Sequence, residues 1–281
     1  CCIQNIQNIT GFLKLWLIKL GGLSMSIPKI IHYCWFGNNP KPKSVLECIE
    51  SWKKYCPDFE IKEWNESNYD ISSNLYCKQA YELKKWAFAS DYARLDIINN
   101  YGGVYLDTDV ELIKPIYDLL KYDFFIGRQE GFQVNTGAGF GAVKGHKVLK
   151  LMLSDYEKIP FIKPDGSMDL LTCPTRNSEC LFNRGLRKDD SFQIVEKVAV
   201  FPIEYFSPFN VWTGRLNVTH NTYSIHHCDA TWNPDESKKN RFFRFLKYRI
   251  SDILDFFIHI PNRVLRKLLG KDKYNKLKGS K

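Results

Sequence analysis

The sequence has no Cys-x-x-Cys pair, although it contains nine cysteines among its 281 residues. An odd number of cysteines without that spacing argues against both a disulfide framework and a zinc site, so free thiols in a reducing compartment are expected. The chain also lacks an internal repeat and a low-complexity linker. One α/β domain with a C-terminal appendage is therefore the simplest division for a chain of this length.

No run of the roughly 20 apolar residues needed to span a bilayer is present. The segment "GFLKLWLIKLGGL" (11–23) is shorter than that and is interrupted by Lys14 and Lys19. A signal or anchor is the competing interpretation of this segment. Because the first readable motif opens at Met25, we interpret residues 1–24 as an extension upstream of the natural start, followed by one domain over 25–235.

Basic charge is concentrated at the C-terminal end. Residues 238–281 hold 14 Lys and Arg against three Asp and no Glu, whereas the rest of the chain carries 26 basic and 28 acidic side chains. A nearly neutral body argues against a nucleic-acid-binding protein. The tail (236–281) spaces apolar residues along one helical face, which is typical of a basic amphipathic helix on anionic lipid. A helix packed on the domain is the alternative.

The order of predicted elements is that of an α/β protein. The opening is β-α-β, and a long helix then ends at the glycine pair Gly102-Gly103, a natural C-cap. We predict strands over 28–37, 59–65, 104–110 and 123–129, with one or two more in 192–206, and the stretch 134–143 is punctuated by glycines. Helices are predicted over 44–56, 77–101, 146–159 and 178–186.

Two aspartates, Asp107 and Asp109, follow the apolar run "GVYL". On a strand they would face the same side, because side chains alternate with period 2. Two carboxylates held that close repel each other unless a cation lies between them. Oxygen ligands of this kind suit Mg²⁺ or Mn²⁺, and the end of a strand is where open α/β sheets bind ligands. A solvated strand end is the alternative.

A second charged pair precedes the strand. Asp91 and Arg94 lie three residues apart in "FASDYARLD", so they can share one helix face. An ordinary surface ion pair is one interpretation. The flanking alanines, however, narrow the helix there, as expected where a backbone lies close to a ligand; they are Ala87, Ala89 and Ala93.

Four segments in this order resemble the retaining, DXD-containing sugar transferases of glycosyltransferase family 32. They are "IPKIIHYCWFG", "SWKKYCPDFEIKEWNESN", "FASDYARLDIINNYGGVYLDTDVEL" and "YSIHHCDATW", and the resemblance covers residues 27–233. It implies a GT-A fold, which is a Rossmann-like nucleotide-sugar-binding fold with a mixed central sheet. It also implies a nucleotide-sugar donor and a divalent cation, Mn²⁺ or Mg²⁺.

The resemblance assigns the nucleotide contacts as follows. Trp35 would stack on the base with Asn68 beside it, Tyr105 would line the pocket, and Trp232 would close over the donor. For Trp35, a core aromatic at a strand end is the alternative.

The resemblance also assigns the polar groups that grip the donor. Asp91 would accept from sugar hydroxyls, and Arg94 would donate to the sugar or to a phosphate oxygen. Asp107 would contact the ribose and reach the metal through water, while Asp109 would bind the metal directly.

The third metal ligand comes from the paired histidines. By the resemblance we choose His226, with His227 on the opposite strand face as the alternative and a packing role for both as a further one. Cys228 stands where the family often has an aromatic. In "GRQEGFQVNTGAG", Asn135 and Gly137 would border the reacting sugar, and a strand with a bulge is the plainer interpretation.

These features predict a metal-dependent, retaining transferase that moves a hexose, from UDP rather than GDP, to a glycan or lipid-linked acceptor of a surface polysaccharide. A cytoplasmic location, peripheral at the inner membrane face, is expected. Two alternatives remain open: a toxin-like protein glycosyltransferase, and a catalytically silent sugar-nucleotide-binding scaffold.

Overall fold

The computed structural model describes residues 26–210 and 213–228. The predicted extension (1–24), Trp232 and the basic tail (236–281) lie outside the described residues. The chain divides into two compact units, residues 1–209 with 217–232 and residues 210–216 with 233–281. The site described below belongs to the first unit.

A seven-stranded mixed sheet forms the centre of the first unit, and its spatial order is β2-β1-β3-β6-β5-β8-β7. β1 is parallel to β2 and β3, whereas β6 is antiparallel to both β3 and β5. β8 is parallel to β5, and β7 is antiparallel to β8. The predicted α/β fold with a mixed central sheet is confirmed. These strands are β1 Ile30–Cys34, β2 Glu60–Trp64, β3 Gly103–Tyr105, β5 Phe124–Arg128, β6 Val134–Ala142, β7 Gln193–Val195 and β8 Val198–Phe201.

Two shorter ladders complete the strands. β4 (Val110–Leu112) pairs antiparallel with β11 (Ser224–His226), which places His226 opposite Val110. β9 (Phe209–Asn210) pairs with β10 (Arg215–Leu216).

The helices bury apolar stripes in two cores, which hold different helices. One core contains the inner faces of α2 to α5, and the other contains α1 with β4 and α6. The stripe of α1 is Val45, Cys48, Ile49 and Trp52, as helical spacing predicts. The helices are α1 Lys43–Tyr55, α2 Leu75–Glu82, α3 Trp86–Tyr101, α4 Lys147–Glu157, α5 Cys173–Phe182 and α6 Ile203–Phe206.

The single long helix predicted over 77–101 is wrong, because α2 and α3 are separate. Lys84 has φ = 57°, and its N–H donates to the carbonyl of Tyr81. The N–H of Lys85 donates to the carbonyl of Ala80, which completes a Schellman motif. Glycine usually occupies the left-handed position of that motif; here it is lysine.

The strand predicted over 104–110 is also wrong in extent. β3 ends at Tyr105 and β4 begins at Val110 in a different ladder, so Asp107 and Asp109 lie in the turn between them. The turn is closed by the N–H of Val110, which donates to the carbonyl of Asp107 at 3.0 Å. Strand alternation therefore does not set the directions of the two carboxylates.

Candidate functional site

Three parallel strands end at the same edge of the sheet and deliver predicted site residues there. Trp35 follows β1, Asn68 lies in the loop after β2, and Asp107 follows β3. β6 runs in the opposite direction, so its first residues reach the same edge, where the N–H of Asp107 donates to the carbonyl of Gly137 at 3.2 Å. The sheet thus gathers the candidate residues at the carboxyl ends of its parallel strands.

The side chains of Asp107, Asp109 and His226 form one group. Each offers a ligand atom, and these atoms lie within 4.8 Å of one another. Nε2 of His226 lies 3.2 Å from Oδ1 of Asp109. The neighbouring His227 faces Glu111 instead, at 3.0 Å, and is far more exposed. Of the two histidines, the structure therefore brings His226 to the aspartates.

The ionisable side chains of this group shift one another's pKa values. Burial raises the pKa of Asp107 to about 6; Arg94 opposes that shift, and the charge of Asp109 adds to it. Burial alone would lower the pKa of His226, but the Asp109 carboxylate outweighs it and holds that pKa well above its usual value. Two carboxylate oxygens and one imidazole nitrogen are a donor set that suits Mn²⁺ or Mg²⁺. The residues present therefore fit a divalent cation.

Arg94 is buried and connects α3 to the turn that holds the aspartates. Nη1 lies 3.0 Å from Oδ1 of Asp91, and Nη2 lies 3.0 Å from Oδ1 of Asp107. Nη2 also donates to Oγ of Ser90 at 3.1 Å, and Nη1 to Sγ of Cys173 at 3.4 Å. Both terminal nitrogens thus have partners within the protein. In this structure the Arg94 guanidinium binds the carboxylates of Asp91 and Asp107, whereas the predicted role of Arg94 is to donate to the sugar or to a phosphate oxygen of the donor.

Asn135 and Gly137 lie on the wall formed by β6. The N–H of Gly137 donates to Oδ1 of Asn135 at 2.7 Å. A Cβ at position 137 would lie 2.3 Å from Oδ2 of Asp107. Only glycine fits this position without displacing that carboxylate. The pairing of β5 with β6 changes register between Ile126 and Gly127, where the partner on β6 passes from Phe140 to Asn135.

The other residues predicted to contact the nucleotide differ in exposure and in the hydrogen bonds that they already make within the protein. Trp35 is half-buried and donates through Nε1 to the carbonyl of Asn39 at 2.7 Å. Asn68 is exposed, but its side chain already bonds the carbonyl of Glu63 at 2.9 Å. Tyr105 is only 1% exposed, and its ring centroid lies 5.2 Å from Cζ of Arg94. Tyr105 therefore supports Arg94 from within the core.

Two residues at the site were not among the predicted ones. Cys173 begins α5 and contacts both Arg94 and Thr136, the latter at 3.7 Å from Oγ1 to Sγ. Gln129 follows β5 and accepts from Nδ2 of Asn135 at 2.7 Å. Pro174 could have indicated that a helix begins near Cys173, because proline is frequent in the first turn of a helix. The predicted helix over 178–186 therefore begins five residues too late.

An open cleft between α4 and α5 is separate from this group, and none of the predicted site residues lines it. Its charged lining residues are of both signs in equal number, so it offers no net positive charge to a diphosphate. They are Lys158, Arg176, Arg184, Asp155, Glu179 and Glu196.

Comparison with known proteins bears on the same region of the chain. Residues 42–126 match the family described as a glycosyltransferase sugar-binding region containing a DXD motif. The chain is 27% identical to inositol phosphoceramide mannosyltransferase 3 of Schizosaccharomyces pombe over 146 residues, which cover 49% of this chain and 39% of that protein. It is 31% identical over 105 residues to the uncharacterized glycosyltransferase L373 of Acanthamoeba polyphaga mimivirus, covering 35% of this chain and 42% of that protein. The chain thus spans about two fifths of the length of these relatives.

Solved structures give weaker matches. The PaToxG glycosyltransferase is 18% identical with a TM-score of 0.43, covering 65% of this chain and 80% of that chain. The galactosyltransferase LgtC, solved with donor and acceptor sugar analogues, is 14% identical with a TM-score of 0.39, covering 79% and 95%. Similarity at this level carries no argument about the present chain.

Residues 42–126 thus have the sequence of a glycosyltransferase sugar-binding region. Asp107-Thr108-Asp109 lies within this range and has the spacing of the DXD motif. The predicted resemblance to such transferases is confirmed. Among residues 26–210 and 213–228, no helix is long and apolar enough to cross a membrane.

Proposed function

We propose that this protein is a metal-dependent, retaining glycosyltransferase that moves a hexose from a UDP-sugar to a glycan or lipid-linked acceptor in surface polysaccharide synthesis. The observation that supports it most is the group of Asp107, Asp109 and His226 at the sheet edge, with Arg94 beside it. Two carboxylate oxygens and one imidazole nitrogen lie within 4.8 Å of one another there, and this donor set suits a divalent cation.

In this proposal Asp107, Asp109 and His226 hold Mn²⁺ or Mg²⁺. The bound cation would neutralise charge on the departing nucleotide diphosphate. The chain's own residues orient the reactants. Arg94 fixes Asp107, Trp35 offers its ring to the nucleobase, and Asn135 borders the reacting sugar.

Retention is proposed from the resemblance to retaining DXD-containing transferases, and the state of the nearby carboxylates favours attack from the front side. Asp91 and Asp107 are both held by Arg94 at 3.0 Å, so neither is free to serve as a nucleophile. The acceptor hydroxyl would then attack from the side of the leaving phosphate, which takes up the hydroxyl proton. The glycosidic bond forms at the carbon from which the phosphate departs, and the configuration at that carbon is kept.

The first test is nucleotide release by the full 281-residue protein with Mn²⁺ or with EDTA. The donors to compare are UDP-glucose, UDP-galactose, their N-acetylated forms and GDP-mannose. Slow, Mn²⁺-dependent hydrolysis of one UDP-sugar is the expected result. If GDP-mannose alone is cleaved, the UDP assignment is wrong. If no donor is cleaved and neither UDP nor GDP with metal raises the melting temperature, a catalytically silent scaffold replaces this proposal.

A lipid-linked acceptor is proposed together with a peripheral position at the inner membrane face. The supporting observation is the sequence of the basic tail, which would bind anionic lipid. Replacing Arg241, Arg244, Lys247 and Arg249 by Gln should reduce flotation of the protein with anionic vesicles, whereas neutral vesicles should bind neither form. Equal flotation of both proteins would contradict this membrane contact.

A further inference from the structure

Four hydrogen bonds run in one direction along the wall of the site. The N–H of Gly137 donates to Oδ1 of Asn135 at 2.7 Å, and Nδ2 of Asn135 donates to Oε1 of Gln129 at 2.7 Å. Nε2 of Gln129 then donates to Oε1 of Gln133 at 3.3 Å, and Nε2 of Gln133 donates to Oγ1 of Thr175 at 3.2 Å. We call this chain of bonds from Gly137 to Thr175 the amide relay.

The direction of the amide relay is fixed at its start. The first donor is a backbone N–H, which cannot accept, so Asn135 must turn its oxygen toward Gly137. Asn135 then turns its Nδ2 toward Gln129, so Gln129 must accept that hydrogen bond through its Oε1. Each side-chain amide thereby determines the orientation of the next, and bonds linked in this way strengthen one another.

The loop that carries the relay is itself held in place. The N–H of Gln129 donates to the carbonyl of Gln133 at 2.8 Å, which closes the loop. Arg128 is fully buried and donates to the carbonyls of Phe132 and Arg187. Gln129 therefore approaches Asn135 from a fixed backbone.

The relay reaches the candidate site through two contacts. The carbonyl of Gly137 accepts from the N–H of Asp107, and Asn135, which is only 6% exposed, lies on the same wall. Oδ1 of Asn135 is bonded to Gly137 and one hydrogen of Nδ2 to Gln129, and the amide nitrogen has a second hydrogen to donate. We infer that Gln129 is a positioning residue that holds the Asn135 amide in the orientation needed for the reacting sugar. This inference rests on the proposed function.

A pair of substitutions at Gln129 separates positioning from general packing. Gln129→Leu removes the acceptor for Asn135, and the kcat of donor hydrolysis should fall about 5- to 10-fold, as for loss of one hydrogen bond. The KM for the donor should change less than about twofold, because base and metal contacts remain. Gln129→Glu keeps an acceptor for Asn135 and should recover most of kcat. Equal kcat in the two variants, or wild-type kcat in Gln129→Leu, would overturn the inference.

Gln133→Leu is the matched control, because it removes the same amide one bond further from Asn135. Its kcat should fall less than that of Gln129→Leu. If Gln133→Leu lowers kcat as much as Gln129→Leu does, the effect does not depend on the direct contact with Asn135, and the positioning role of Gln129 is wrong.

A measurement of folding alone distinguishes failure of this inference from failure of the proposed function. In a double-mutant cycle, Gln129→Leu and Asn135→Ala together should change the unfolding constant by a factor that differs at least about twofold from the product of the single effects. If wild type cleaves no donor but this coupling is present, only the proposed function fails. If the coupling is absent, the Gln129–Asn135 contact has no energetic effect and the inference fails whatever the activity.

Discussion

Nη2 of Arg94 lies 3.0 Å from Oδ1 of Asp107, so a residue in the middle of α3 holds the first carboxylate of the DXD motif. The same guanidinium contacts Asp91 at 3.0 Å through Nη1. Burial raises the pKa of Asp91, an effect that Arg94 opposes. Arg94 and Asp91 are buried and Asp107 is partly buried, and Arg94 forms an ion pair with both carboxylates.

Removing Arg94 should therefore cost more stability than a surface arginine does. Arg94→Met removes the ion-pair partner of the buried Asp91 and the partly buried Asp107 and should lower the free energy of unfolding by about 3–5 kcal/mol. Arg94→Lys should recover only part of this loss, because a lysine cannot bridge both carboxylates as a planar fork does. Urea unfolding of each variant provides the measurement.

The control for Arg94 is Arg187, which is exposed and lies 3.0 Å from Asp189. Arg187→Met should change the free energy of unfolding by no more than about 1 kcal/mol. Similar losses at the two arginines would show that the buried position of Arg94 has no special role.

The two carboxylate–histidine pairs at the β4–β11 ladder, Asp109 with His226 and Glu111 with His227, offer an internal comparison. Asp109→Asn or His226→Gln should reduce Mn²⁺-dependent donor hydrolysis at least about 100-fold with little loss of folding, because one electrostatic contact to the leaving group is removed. Glu111→Gln or His227→Gln changes a similar pair at 3.0 Å and should leave hydrolysis intact. Mn²⁺ titration should show weaker binding in the Asp109 and His226 variants and unchanged binding in the Glu111 and His227 variants. Activity above about a tenth of wild type in Asp109→Asn would exclude the metal role.

The local features of this fold are readable from the sequence. The strand, helix and strand from Ile30 to Trp64 follow from the spacing of apolar residues. Gly102 and Gly103 both have positive φ, 69° and 110°, as the glycine pair predicts. At Gly103 a Cβ would also lie 2.8 Å from Nε2 of His32, so the second glycine is needed for close approach as well.

What could not be predicted depends on partners far away in the chain or on an atypical residue. The break between α2 and α3 is made by Lys84, where the sequence signal would have been glycine. The turn after Tyr105 forms because the N–H of Asp107 bonds Gly137, 30 residues further on. The contact of Cys173 with Arg94 joins α5 to α3 across a sequence separation of 79 residues. Spacing within one element carries no information about such pairs.

Gly137→Ala should weaken metal binding through Asp107. The added Cβ would lie 2.3 Å from Oδ2 of Asp107, so the carboxylate must move away from its present place. Displacing a group that orients a metal ligand typically costs about 10- to 100-fold in metal affinity, and we expect a loss in that range. Mn²⁺ titration measures the affinity, and thermal unfolding without metal reports whether the fold survives. Unchanged affinity in a folded variant would mean that Asp107 does not contribute to the cation site.

His32 gives the fold a pH dependence that is independent of the metal group. Its Nδ1 accepts from Nε1 of Trp64 at 3.0 Å, so its Nε2 carries the proton and donates to the carbonyl of Gly102 at 2.9 Å. Burial lowers the pKa of His32 to about 4; the bond to Gly102 opposes that shift, and the charge of Lys62 adds to it. The buried ring is therefore neutral at pH 7.

The sign of the effect follows from proton binding in the two states. Above about pH 6.5, the ordinary pKa of histidine, His32 is neutral whether the chain is folded or unfolded, and it adds no pH dependence. Between that value and about pH 4, the unfolded chain binds a proton that the folded chain does not. The free energy of unfolding therefore decreases as the pH is lowered through this range, by about 3 kcal/mol in total. His32→Gln should remove this part of the slope, although it also lowers stability at pH 7. Urea unfolding of both proteins at pH 7, 5.5 and 4.5 measures the two slopes, and equal slopes would show that His32 is protonated within the fold.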